Sequence, residues 1–242
     1  MEIGEFIRIM EALAPPELAD EWDSEKIGLV VEGTQDLEQI CCALDATPET
    51  VGRAVSARAD MLVVHHTPLW TPVTAFRGPL ASLLREAIAS GMNIYVLHTN
   101  YDRAPGGVND VLADLLGLEN TLPLSLGVVG ECEIGIQEIS DRLNCPLRTW
   151  NCPHLPGTLA VVGGSGFSYE LIREAADAGA GSFLSAELRH SVARSSPIPL
   201  LEATHYALEA PAMRVLAERM GWTYIEDIPQ LQTWTPESSG SC

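Results

Sequence analysis

Apolar residues Ile3, Phe6, Ile7, Met10, Leu13 and Ala14 recur at the spacing of one helix face until Pro15-Pro16 stops the pattern, which predicts an opening helix. Short continuous apolar runs follow over 27–31, 40–44, 61–64 and 94–97 and read as buried strands. The stretches 48–59 and 80–90 between them carry helical periodicity. Thr47 stands as a cap with Pro48 at the first helical position, and Gly91 closes the second helix. This alternation predicts βαβ units, and a further helix over 108–116 ends at Gly117.

After Leu122-Pro123 the pattern restarts with an amphipathic stretch over 134–143, a short run over 147–150 and a loop dense in Pro, Cys and His over 151–157. A strand over 159–162, the turn Gly163-Gly164-Ser165-Gly166, a helix over 169–178 and a strand over 182–185 come next. The run 198–203 and the helix 210–220 then resemble the opening module again. The expected architecture is α/β with a discontinuous first domain: residues 1–122 plus 198–235 form the first α/β domain, and 123–197 are inserted as a second α/β domain. The final residues, 236–242, have linker-like composition and read as a flexible tail.

Composition narrows the class. The chain has 242 residues, 46% hydrophobic and 6% aromatic, which suits a packed core rather than disorder. A net charge of −19 with 13 Arg and a single Lys, Lys26, argues against nucleic-acid binding through a basic patch. No opening segment has a positive stretch followed by an apolar one, and no apolar run approaches the roughly 20 residues of a membrane span, so a soluble, cytoplasmic protein without a membrane partner is expected. None of the six cysteines forms a C-x-x-C pair, so neither a disulfide framework nor a zinc ribbon is suggested.

The chemistry gathers at the ends of the apolar runs. His65-His66 follows the third run, His98 and Asp102 follow the fourth, and His205 and Glu209 follow the run near Leu200-Leu201. In open α/β sheets the functional crevice lies outside the carboxyl ends of the strands, so three separate segments point to one edge. If a helix starts near Tyr206, His205 and Glu209 lie at i and i+4 on one face and can share an ion. Imidazoles with two carboxylates suit Zn, Fe, Mn, Co or Ni as divalent ions. Two ions about 3.5–4 Å apart would acidify a bridging water.

Other candidates carry less. Gly163-Gly164-Ser165-Gly166 lacks the lysine of a phosphate loop and reads as a plain tight turn. Glu187 and His190 are candidates to face the same crevice as proton-transfer, supporting or substrate groups, whereas His154 reads as structural or surface. No Gly-x-Ser-x-Gly elbow supports Ser/His/Asp acyl transfer.

Asp23-Ser24-Glu25-Lys26-Ile27-Gly28-Leu29, Val64-His65-His66-Thr67-Pro68-Leu69, His98-Thr99-Asn100-Tyr101-Asp102 with Pro105-Gly106-Gly107-Val108-Asn109-Asp110, Gly163-Gly164-Ser165-Gly166, and His205-Tyr206-Ala207-Leu208-Glu209 occur in that order. Together they resemble the NGG-interacting-factor-three-like dinuclear-metal-centre proteins, often labelled GTP cyclohydrolase 1 type 2 homologs, over roughly residues 1–230. The resemblance implies two interlinked α/β domains, a toroidal homohexamer, and a two-metal site of His65, His66, Asp102, His205 and Glu209, with His98 beside the metals as an auxiliary ligand or proton-transfer group. It departs from the family pattern where Ser185-Ala186-Glu187 replaces Thr-Gly-Glu and Thr204 replaces the glycine before the last histidine. The implied function is a metal-dependent hydrolase acting on a nucleotide-like or phosphorylated small molecule. The alternative is a non-catalytic metal (iron) carrier or cofactor-assembly factor, and an interaction scaffold ranks third.

Overall fold

The computed structural model describes residues 1–232 and Trp234, so the tail expected over 236–242 lies outside the described residues. The opening stripe forms α1 (Ile3–Leu13), burying Ile3, Phe6 and Met10, and the prolines lead into a single 3-10 turn over Pro16–Leu18. β1 (Gly28–Val31), β2 (Ile40–Asp45), α2 (Pro48–Ser56), β3 (Met61–His66), α3 (Gly78–Ser90) and β4 (Asn93–Val96) follow. β2, β3 and β4 are mutually parallel, joined through the crossover helices α2 and α3. The Thr47 side chain caps α2 by accepting from Thr50 N at 3.1 Å.

Next come α4 (Thr99–Arg103), α5 (Val108–Leu116), β5 (Glu119–Pro123), β6 (Val128–Cys132), α6 (Ile136–Leu143), β7 (Arg148–Trp150) and β8 (Gly157–Val161). The chain continues through α7 (Tyr169–Asp177), β9 (Ser182–Ser185), α8 (His190–Ser195), β10 (Leu200–Glu202), α9 (His205–Met220) and β11 (Thr223–Tyr224). Among the described residues the strands form two sheets, ordered β1-β4-β3-β2-β11 and β5-β6-β8-β9-β10-β7. β8, β9 and β10 are the parallel centre of the second sheet, and β6 and β7 flank them antiparallel. No described helix is long and apolar enough to cross a membrane.

Two strands sit elsewhere than the expected domain boundaries place them. β5 and β10, expected with the first unit, both belong to the second sheet. β5 is exposed along its whole length and opens with Glu119-Asn120-Thr121, so it carries no buried alternation, and its pairing is set by β6, a strand the periodicity does not announce. β10 is short and wholly buried, so its apolar run suits either sheet; parallel pairing with β9 and antiparallel pairing with β7 decide the matter.

Helices α5 and α9 form the layer between the sheets. α5 sends Val108 and Val111 to the first sheet's core and Leu112, Ala113 and Leu116 to the second. α9 sends Ala207 and Leu208 to the second core and Ala210, Met213, Leu216 and Ala217 to the first. A helix whose apolar positions are buried on two sides is fixed in rotation by both cores. Its first turn is thereby held between the two sheets.

Leu208 is fully buried one residue before Glu209. Leu208→Ala is expected to lower unfolding free energy by about 2–5 kcal/mol in urea denaturation, through lost burial plus the residual cavity.

Candidate metal centre

The parallel strands of both sheets direct their carboxyl ends at one cleft. β3 runs through His65-His66, pairing Asp45 of β2 with His66, while β4 leads into His98 at the start of α4 and thence to Asp102. From the second sheet, β8 leads into the Gly163–Gly166 turn, β9 into Glu187, and β10 through Thr204 into α9. The cleft encloses about 440 Å³ and is lined by residues including Asp45, His66, His98, Asp102, His205 and Glu209.

Helix α9 starts at His205, so His205 and Glu209 do stack at i and i+4, with Nε2 and Oε2 2.9 Å apart. Glu209 Oε2 also lies 3.1 Å from His66 Nε2 and 3.8 Å from His65 Nε2, and Asp102 Oδ1 lies 3.5 Å from His65 Nε2. Donor atoms therefore gather in triplets that could each hold a metal ion: His66 with His205 and Glu209, His65 with Asp102 and Glu209, and His65 with His66 and His98. Glu209 is shared by the first two. Strand alternation does not separate the adjacent imidazoles, whose ring centroids are 4.9 Å apart.

Each imidazole of the cluster is aimed by a hydrogen bond from its other nitrogen. His65 donates from Nδ1 to the Leu97 carbonyl at 2.7 Å, His66 to Asp45 Oδ1 at 2.7 Å, His98 to Asp23 Oδ2 at 2.8 Å, and His205 to Glu187 Oε1 at 2.8 Å. In the neutral imidazole an Nδ1 proton committed this way leaves Nε2 with a free lone pair, the arrangement by which outer partners orient metal-binding histidines. His65 Nε2, Asp102 Oδ1, His205 Nε2 and Glu209 Oε2 are buried without a hydrogen-bond partner. Such groups cost stability when left unpaired, and a divalent cation shared between nitrogen and oxygen donors satisfies them, so the residues fit an ion.

Electrostatics separates the roles. Burial lowers the His65 pKa to about 3, against the attraction of Glu209. Burial alone would lower His66 and His205 as well, but Asp45 and Glu209 hold His66 up at about 10, and Glu209 and Glu187 hold His205 up at about 9. Asp102 is raised well above the usual carboxylate range by burial and by the Glu209 charge. Burial also pushes Glu209 upward, yet the imidazoles of His65, His205 and His66 hold it well below that range.

Several participants lie in the segments that carry the family resemblance but receive no site role from sequence. Asp23 is fully buried, accepts from Thr99 N at 3.2 Å and Thr99 Oγ1 at 2.7 Å, and anchors His98 from 75 residues away. Asn109 joins the halves by donating from Nδ2 to the Asp102 carbonyl and accepting from Gly163 N, each at 2.8 Å. The glycine turn, read as a plain tight turn, walls the cluster: a Cβ on Gly164, at φ +64°, would lie 2.2 Å from Glu209 Oε1. Ser185 pins that turn, donating to the Gly164 carbonyl and accepting from Gly166 N at 2.8 Å each. Thr204 caps α9 by accepting from Ala207 N at 3.2 Å, so its hydroxyl fixes the helix start beside His205.

The remaining candidates divide. Glu187, at φ +63°, reaches the cluster through His205. His190 is exposed at the first turn of α8 and does not line the cleft. His154 is also exposed, in the loop after β7.

The family description Duf34/NIF3 (NGG1p interacting factor 3) matches residues 1–231. A protein of Streptomyces coelicolor named GTP cyclohydrolase 1 type 2 homolog is 35% identical over 91% of this chain and 88% of its own length. A like-named protein of Pyrococcus horikoshii is 30% identical over 82% of this chain and 87% of its own. Among solved structures, reduced HcgD from Methanocaldococcus jannaschii superposes with a TM-score of 0.80 at 28% identity, covering 93% of this chain and 96% of that one. A Bacillus cereus protein related to NIF3 shares the fold with a TM-score of 0.84 at 18% identity, over 96% of this chain and 99% of that one.

Gly164→Ala is expected to displace Glu209 and lower zinc content by elemental analysis, while circular dichroism keeps the wild-type spectrum. At neutral pH the raised His66 and His205 carry protons in the ion-free protein, and ion binding needs both neutral. Zinc loading is therefore expected to release protons, with affinity climbing as pH rises from about 7 toward 10; calorimetry in buffers of different ionisation heat measures both.

Proposed function

Because the chain belongs to the Duf34/NIF3 family, we propose that its clustered imidazoles and carboxylates hold two divalent transition-metal ions (Zn, Fe, Mn, Co or Ni) and that the protein hydrolyses a nucleotide-like or phosphorylated small molecule. The observation that carries the two-ion reading is Glu209, a buried carboxylate common to the His66/His205 and His65/Asp102 groups. The names of the relatives, GTP cyclohydrolase 1 type 2 homolog, favour a purine nucleotide as the substrate. The homohexamer implied by the family resemblance belongs to the same reading.

In this reading His65, His66, Asp102, His205 and Glu209 hold the ions. When bound, such ions supply Lewis acidity and a water acidified toward neutral pH. The protein's own groups set the geometry. Asp45, Glu187 and the Leu97 carbonyl keep three imidazoles turned inward. His98 has its Nδ1 proton committed to Asp23, which leaves Nε2 as the basic atom beside His65 and His66, at centroid distances of 5.0 and 5.6 Å. We assign His98 Nε2 to take the proton of the attacking water and return it to the leaving group. Glu187 is a positioning residue for His205, and no role is assigned to His190.

A second reading, a metal carrier without turnover, is favoured by one observation. The His205 side chain is 32% exposed, so one member of a triplet borders solvent and gives an ion there a route to exchange.

Glu209→Gln is expected to abolish both ion retention and activity, because the amide carries no charge and is a poor ligand. His98→Ala is expected to retain ions by elemental analysis while GTP turnover falls about 10²–10⁴-fold. Under the carrier reading no nucleotide is consumed by the wild type, and His98→Ala changes only the rate at which ions pass to a chelator.

A further inference from the structure

Two tryptophans edge the metal cleft and take no part in the cluster. Trp22 and Trp70 both line it, and each ring lies nearly perpendicular to that of His98: centroid distances are 5.9 and 5.1 Å, with interplanar angles of 78° and 77°. At these angles neither indole is stacked face to face on His98. The two residues remain 56% and 43% exposed. A single exposed indole is ordinary on a protein surface, but two against the same histidine at one cleft mouth form an aromatic rim.

The rim is held in place on the Trp22 side. Asp20 N donates to Thr99 Oγ1 at 3.0 Å, Arg103 pairs with Asp20 at 2.9 Å, and Asp23 is fixed by His98 and Thr99. The indole thus projects from a turn whose backbone is tied to α4, and little ordering entropy remains to oppose a ligand stacking there. Lys26, the sole lysine of a chain carrying −19 net charge, lies 4.6 Å above the Trp22 ring. That places a cation beside the rim where the surrounding surface is acidic, a suitable partner for a phosphate.

We infer that Trp22 and Trp70 are binding residues that stack the base of a nucleotide at the mouth of the cleft. This rests on the reading of the cleft as a nucleotide-processing site, and it names the recognition element of that site. Stacking fixes the ring without choosing among bases, since every base offers a π face.

The test is equilibrium binding by calorimetry to the zinc-loaded protein, with zinc content checked by elemental analysis. GTP, ATP and CTP are the ring-bearing probes; ribose 5-phosphate and pyrophosphate are the probes without a ring. Trp70→Ala and Trp22→Ala are each expected to weaken nucleotide binding about ten- to a hundredfold, the range of base–aromatic stacking. Trp70→Phe is expected to restore most of the affinity, and the two ringless probes to bind all variants alike. The inference is overturned if the Trp22→Ala/Trp70→Ala double variant keeps its zinc and binds nucleotides as the wild type does. It is also overturned if ribose 5-phosphate binds as tightly as the nucleotides, or if none of the three nucleotides binds. Tryptophan-dependent binding without turnover supports the inference while removing the hydrolase assignment, so the two failures are separable.

Discussion

A carboxylate that is 3% exposed where two sheets meet is the constraint around which this molecule is organised. Removing the charge of Glu209 from water costs several kcal/mol unless positive or hydrogen-donating groups surround it. The protein supplies them from two directions: His205 from one turn earlier on the same helix and His66 from the end of β3. Asp102 then raises the stakes, because a second buried carboxylate beside the first is driven toward its neutral form. Protons on His66 and His205 offset the charge at neutral pH in the ion-free protein. Divalent ions held by the Nε2 atoms would do the same, and proton and metal binding would then be linked.

The fold serves that cluster by packing α5 and α9 between two parallel-centred sheets. The first turn of α9 is pinned by Leu208 in one core and by Ala210 and Met213 in the other. A helix held on both sides cannot slide or rotate without opening one core, so the position of Glu209 inherits the rigidity of both. Gly163 and Gly164 close the remaining side, and Asn109 ties that turn to the Asp102 segment. Substitutions far from any donor atom, at Leu208 or Asn109, therefore bear on the same geometry as substitutions of the donors.

Much of this was legible in the chain. Apolar runs ending in His65-His66, His98 and His205 mark strand ends by simple periodicity, and the i and i+4 spacing of His205 and Glu209 needs only a helix start, which Thr204 supplies. β5 and β6 were not legible. An exposed strand such as Glu119–Pro123 buries no alternate positions, so it writes no period into the sequence, and its membership of the second sheet is a property of its partner. β10 failed differently: a three-residue buried run is equally at home in either sheet.

Local sequence determined where the donors sit along the chain, because strand and helix periods are set by neighbouring residues and the donors fall at their ends. Tertiary structure alone decided which acceptor holds each imidazole. The partners of His98 and His66 are Asp23 and Asp45, 75 and 21 residues away, and Glu187 reaches His205 from a different strand. No period links such positions. Their pairing depends on which strand ends the packed helices bring together, and that is fixed by burying two cores at once rather than by any stretch of sequence.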